Sequence, residues 1–77
     1  MSMIFDNSNL GEFLLLYRKK NHLSRKRFAE MIGVNTSTLW NWENNYSVPS
    51  VRSLSKLSDA TGKSFTALFH LSKSGQI

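Results

Sequence analysis

Cysteine is absent from the 77 residues, so neither a disulfide nor a cysteine-based metal site is open to this chain, and a reducing compartment suits it. Acids are scarce as well. Five are spread along the sequence (Asp6, Glu12, Glu30, Glu43, Asp59), and the two histidines, His22 and His70, lie far apart. With no glycine-rich phosphate loop and no metal-ligand spacing, nothing assembles into a catalytic centre, and neither a cofactor, a metal nor an enzymatic activity is expected. No apolar run approaches the roughly 20 residues that a bilayer span requires. The N-terminal MSMIF lacks the basic start and cleavage region of a secretion signal, so the expectation is a cytoplasmic protein with no membrane partner. One proline, Pro49, and four glycines leave few breakpoints, and no repeats or low-complexity runs occur.

A chain of 77 residues holds one small core and not two, and at 40% hydrophobic and 12% aromatic it can fold without staples. Ten Lys and Arg against five Asp and Glu leave a net charge of +5. Their placement is uneven: Arg18, Lys19, Lys20, Arg25, Lys26 and Arg27 put six of the ten cations within ten residues. Charge alone leaves two readings, a solubilising face or the footprint of a polyanion.

Helix signals punctuate the chain. Asn9, with Glu12 three residues on, caps a first helix whose apolar face is Leu10, Phe13, Leu14 and Tyr17 and which stops near Asn21 or His22. Ser24 caps a second helix with Phe28, Ala29 and Ile32 on one side. Gly33 suits a left-handed helix end, Val34 then turns inward, and Asn35 caps a third helix facing Leu39 and Trp42 to the core. Asn44-Asn45-Tyr46-Ser47 is a polar turn, and Pro49 forces extended backbone before Ser50 caps a fourth helix. That helix carries Val51, Leu54, Leu57 and Ala60 inward and ends at Gly62; Ser64 caps a last short helix with Phe65 and Leu68 in the core. Residues 1–8 read as an arm, 9–72 as the domain and 73–77 as a frayed tail. Phe69, Leu71 and the arm's Ile4-Phe5 exceed what five short helices bury easily. They mark a subunit contact, or else both ends fold over one core.

The segment 24–43 is thus two short helices joined by a tight turn. LSRKRFAEMIGVNTSTLWNWEN, continued by Pro49, resembles the Cro and phage-repressor type of helix-turn-helix domain, the XRE family. The matching features are Leu23, Phe28-Ala29, Gly33-Val34, Leu39, Glu43 and Pro49, and the likeness extends from about Leu10 to Phe69. It implies an all-α, compact five-helix lambda-repressor-like bundle.

The resemblance also assigns roles. The base-reading positions of such domains fall on Asn35, Thr36, Ser37 and Asn41, and the phosphate contacts on Arg25 and around Asn44. Arg25 stands where Gln is usual and Asn45 where Gly is usual; the first departure should strengthen phosphate binding and its salt dependence. Arg18 and Glu43 take the positions of a structural ion pair that steadies the third helix. The turn after that helix lies on the nucleic-acid backbone in such domains, making Tyr46 and Ser47 candidate phosphate donors, with Arg52 a further one.

Residue chemistry points the same way without deciding it. Arg25, Lys26 and Arg27 fill the first turn of the second helix, where the macrodipole disfavours cations by some tenths of a kcal/mol each. A phosphate at that end would turn the penalty into binding; side chains splayed into water would also tolerate it. With Leu39 and Trp42 inward, Ser37, Asn41 and Asn44 point outward, flanked by Thr36 and Trp40. Hydroxyls and amides can bond base edges, and Asn41 suits adenine N6 and N7, although any solvated helix shows polar residues. Trp40 on that flank touches a thymine methyl, meets the sugar-phosphate backbone, or simply covers its neighbours.

The leading expectation is a sequence-specific regulator of transcription, most simply a repressor, that sets its third helix in the major groove. It would bind double-stranded DNA as a homodimer on an inverted-repeat operator. The alternative is an antitoxin or adaptor that uses the same fold to hold a protein partner through its apolar termini.

Overall fold

In the computed structural model, which describes residues 9–74, the Asn9 side chain accepts the Glu12 N–H at 2.8 Å and opens α1 (Leu10–Lys20). Serines do the same for three more helices. Ser24 Oγ accepts the Arg27 N–H at 3.0 Å ahead of α2 (Arg25–Met31), and Ser50 Oγ the Ser53 N–H at 3.2 Å ahead of α4 (Val51–Thr61). Ser64 Oγ accepts the Ala67 N–H at 3.2 Å ahead of α5 (Phe65–Ser74). Each cap satisfies an N–H that the first turn leaves without a helical partner. α3 (Thr36–Glu43) begins differently: Asn35 has the extended backbone of a cap, but its side chain makes no capping hydrogen bond. Its expected capping role is therefore one of position only, and the amide stays at the surface. The expected arm, with Ile4 and Phe5, and residues 75–77 lie outside the described residues, while Lys73 and Ser74, read as tail, are helical.

Three helices end by the same closure. His22 (φ 56°), Gly33 (φ 69°) and Asn45 (φ 61°) are left-handed and donate to Lys19, Glu30 and Trp42 carbonyls at 3.1–3.2 Å. The following residues, Leu23, Val34 and Tyr46, donate to Arg18, Ala29 and Asn41 carbonyls at 2.9, 3.0 and 2.9 Å. The paired bonds fold the chain back against the helix it has just left. Leu23 and Val34 are thereby drawn against the core.

That core comprises Leu10, Leu14, Phe28, Ala29, Ile32, Leu39, Trp42, Leu54, Leu57 and Leu68, each side chain stabilising the fold by about 1.5–3 kcal/mol where it is large and fully buried. Tyr17 lies across it, ring centroid 5.5 Å from that of Phe28, and its hydroxyl donates to the Ala60 carbonyl at 3.2 Å. α1 packs on α3 and α5, α2 on α3, and α4 on α5.

Two expectations about the core need correction. Val51 is 65% exposed, because a helical side chain covers the surface N-terminal to its own Cα, and ahead of Val51 lies only the turn. Pro49 is buried there instead. Leu71 packs against the core, so the C-terminal apolar excess reduces to Phe69, which stacks on Phe65 (centroids 6.3 Å apart) beneath the Lys73 ammonium.

Gly11 fixes how closely α1 approaches α3. A Cβ at this position would lie 2.6 Å from the Glu43 carbonyl oxygen, 2.7 Å from that of Trp42 and 2.8 Å from Asn45 Oδ1. The C-terminal carbonyls of α3 therefore rest on the bare backbone of α1.

Candidate nucleic-acid interface

α3 is held from below by apolar contact and from its C-terminal end by charge. Leu39 and Trp42 are buried, and so is the Glu43 carboxylate, whose side chain is 2% exposed. Burying a carboxylate is costly without partners, and Glu43 has two. Arg18 Nε donates to its Oε2 at 2.7 Å and Arg18 Nη2 to its Oε1 at 3.1 Å. Arg25 Nε donates to the same Oε1 at 3.1 Å, so one carboxylate ties together α1, the start of α2 and the end of α3. Arg18 Nη1 also donates to the Leu23 carbonyl at 3.1 Å.

This arrangement revises the charge reading. Arg18 is one of the six clustered cations, yet its side chain is mostly buried and spent on Glu43. Arg25 is only partly spent: among the described residues its Nη groups bond no protein acceptor, and about a third of the side chain is exposed. Lys26 and Arg27 are exposed beside it, Arg27 Nη1 lying 3.8 Å from Glu30 Oε1 in a loose surface pair of small energetic weight.

The outward side of α3 leaves Thr36, Ser37 and Trp40 exposed and Asn41 partly so, and no charged side chain stands among them. Thr38 is half-buried on the opposite flank. Asn44, just past the helix, donates from Nδ2 to the Trp40 carbonyl at 2.9 Å. Left-handed Asn45 then returns Tyr46 over α3, where its ring stacks on Trp40 with centroids 5.4 Å apart and planes 13° from parallel. Tyr46 is 74% exposed and Trp40 41%, so the stack is a surface feature and not part of the core. Ser47 and, in the first turn of α4, Arg52 are also exposed.

An α-helix with its side chains is about 10–12 Å across, which fits a groove about 12 Å wide. The chain matches a helix-turn-helix family model over residues 14–68, from α1 into α5 and around the two helices joined through left-handed Gly33. The chain belongs to the Cro/C1-type helix-turn-helix family, the XRE family. That family is one of DNA-binding transcription regulators. Comparison with curated proteins and with solved structures gave no significant match.

On this helix-turn-helix frame the expected base-reading residues Asn35, Thr36, Ser37, Trp40 and Asn41 all lie at or beside the exposed side of α3. Arg25, Lys26 and Arg27 stand at the start of α2, and Asn44, Tyr46 and Ser47 in the turn after α3. Three features of this helix-turn-helix were not read from the sequence: the Trp40–Tyr46 stack, the second Arg on Glu43, and the close seat at Gly11. A glycine in the first turn of an otherwise regular amphipathic helix was the available sign of the third, since glycine there forfeits about 1 kcal/mol against alanine unless something needs the space. Among the described residues no helix is long and apolar enough to cross a membrane, and no group of His, Asp and Glu is placed to hold a metal ion.

Proposed function

We propose that the protein is a cytoplasmic, sequence-specific regulator of transcription, acting as a repressor, that lays α3 in the major groove of double-stranded DNA. Thr36, Ser37 and Asn41 read base edges, with Asn35 and Trp40 at the two ends of the contact. Arg25, Lys26 and Arg27 hold phosphates on one side, and Asn44, Tyr46, Ser47 and Arg52 on the other. Arg18 and Glu43 act on the reading only by fixing α3. The protein binds as a two-fold dimer on inverted half-sites about one helical turn apart, and needs no cofactor.

The observation that carries this reading is the uncharged, exposed side of α3 standing next to cations at the start of α2. A neutral ridge costs less to desolvate than a charged one, and adjacent cations supply attraction to any duplex. Selection of bound sequences from a random duplex pool, at two salt concentrations, tests it. The expected result is a palindromic consensus whose affinity falls steeply with salt; enrichment of no sequence at either concentration would refute base reading.

A second reading has its own observation. Leu16 on α1 is 48% exposed and Phe69 on α5 is exposed as well, which favours a protein partner held on the α1 and α5 side, as in an antitoxin or adaptor. Substituting Leu16 and Phe69 together with serine would abolish such a complex and leave DNA affinity per protomer unchanged.

A further inference from the structure

The aromatic pair at the rim of α3 is more than a solvated helix needs. Among the described residues seven large apolar side chains are exposed, and two of them, Trp40 and Tyr46, are stacked on each other beside Asn41. Both are tethered through their backbones: the Tyr46 N–H donates to the Asn41 carbonyl at 2.9 Å and Asn44 Nδ2 to the Trp40 carbonyl at 2.9 Å. Those bonds fix the backbone, and the stack itself holds each ring against the other before any ligand arrives, so a contact made by them loses little side-chain freedom. The stack adds a flat apolar wall to a ridge otherwise made of hydroxyls and amides.

In the major groove the one apolar group that a base pair displays is the C5-methyl of thymine. Asn41 is matched in donor and acceptor pattern to adenine, and its neighbour Trp40 is displaced by about 100° around the helix, toward the side where Tyr46 lies. Charged or strongly hydrated groups of the duplex gain nothing from a ring pair whose faces are turned on each other. A methyl group against its exposed edge loses water on both sides.

We propose that the Trp40–Tyr46 stack reads a thymine methyl beside the base pair contacted by Asn41, making it a specificity element for A·T-containing sites. This rests on α3 being the helix that enters the groove. It adds a requirement that hydrogen bonding by Thr36, Ser37 and Asn41 does not impose.

Uracil differs from thymine only in lacking that methyl, so the test replaces thymines one at a time with deoxyuridine in the duplex recovered by selection. Binding of the full chain is measured against each duplex and against a shuffled sequence. The expected result is a loss of about fourfold at one thymine per half-site, the factor for one methyl-sized group removed from water, and no loss at the others. Trp40→Ala should bind the thymine and deoxyuridine duplexes equally, and Tyr46→Ala should shrink the difference. Equal binding by the wild-type chain at every position, with the shuffled duplex still rejected, would overturn the methyl reading and leave base recognition standing. An undiminished deoxyuridine effect in Trp40→Ala would assign the methyl to another side chain and overturn it too. Failure to reject the shuffled duplex would overturn it together with the reading on which it rests.

Discussion

Arg18 and Glu43, 25 residues apart in sequence, form a two-point ion pair between α1 and α3 with Nε–Oε2 at 2.7 Å and Nη2–Oε1 at 3.1 Å. Its energetics are asymmetric. The pair contributes little net to folding because both charges lose water, but removal of the carboxylate strands a mostly buried guanidinium. Glu43→Ala is therefore expected to cost about 3–5 kcal/mol. A domain of 77 residues holds only about 4–12 kcal/mol in total, so the variant should be marginally folded. Arg18→Ala should cost less, since Arg25 still satisfies Glu43. Urea unfolding monitored by tryptophan fluorescence gives the comparison, and a wild-type midpoint for Glu43→Ala would show the pair to be idle.

Gly11→Ala sets two effects against each other. Alanine gains about 1 kcal/mol of helix propensity over glycine. Its methyl would stand 2.6 and 2.7 Å from the carbonyl oxygens of Glu43 and Trp42, which are backbone atoms and cannot swing aside. Forced overpacking costs about 1–3 kcal/mol, more than the propensity returns. The expected outcome is a lower Tm, by about 4–8 °C per kcal/mol of net loss, in differential scanning calorimetry. A raised Tm would mean that α1 and α3 separate without cost.

His22 should yield to glycine. With φ at 56°, it holds a left-handed conformation that costs an ordinary residue about 1–2 kcal/mol, against the 0.5–1 kcal/mol of extra chain entropy that glycine brings. His22→Gly is expected to stabilise by roughly 0.5–1 kcal/mol, the difference of those terms. Asn45→Gly, at φ 61°, should change stability less, because Asn tolerates that region better. Chemical denaturation of the two variants side by side tests the order.

What the sequence made legible was local. The serine caps, the left-handed Gly33 and the apolar spacing of α2 and α3 are encoded within a few residues and appear where the spacing puts them. Contacts between distant segments were not, apart from the Arg18–Glu43 pair, which the family resemblance supplied and no local pattern did. The partner of Gly11 is a carbonyl 32 positions on, and nothing in the local pattern names it. Tyr46 reaches Trp40 only because Asn45 is left-handed, a backbone detail that reverses the chain. Val51 shows the opposite failure, since its periodicity was regular but assumed a neighbour beyond the helix end. In the candidate site, residue types were readable and the division of labour was not: Arg25 gives its Nε to Glu43 while about a third of its side chain stays exposed.

That division shapes the salt prediction. Arg25→Gln removes one candidate phosphate contact, so affinity should fall on every duplex, and the slope of log K against log salt should flatten by about 0.9 at most. Because the carboxylate keeps Arg18, the variant should remain folded, and a circular dichroism melt alongside the titration separates lost binding from lost structure. An unchanged slope would leave Arg25 with a structural role alone.

Asn41→Ala separates reading from gripping. The side chain is partly exposed, and the helix does not depend on it: the Asn41 carbonyl that closes the turn to Tyr46 belongs to the backbone and survives the substitution. Alanine also favours the helix, so stability should hold or rise slightly. Loss of a two-point contact to adenine should weaken binding to the selected site by about 1–3 kcal/mol while leaving affinity for unrelated duplex nearly unchanged. Titrating both duplexes at one salt concentration gives the ratio directly. Equal weakening on the two would place Asn41 among the backbone contacts, and no weakening on either would remove it from the interface. Because the proposed phosphate contacts stand on α2 and the proposed reading side on α3, only a change confined to the preferred site fits the division between them.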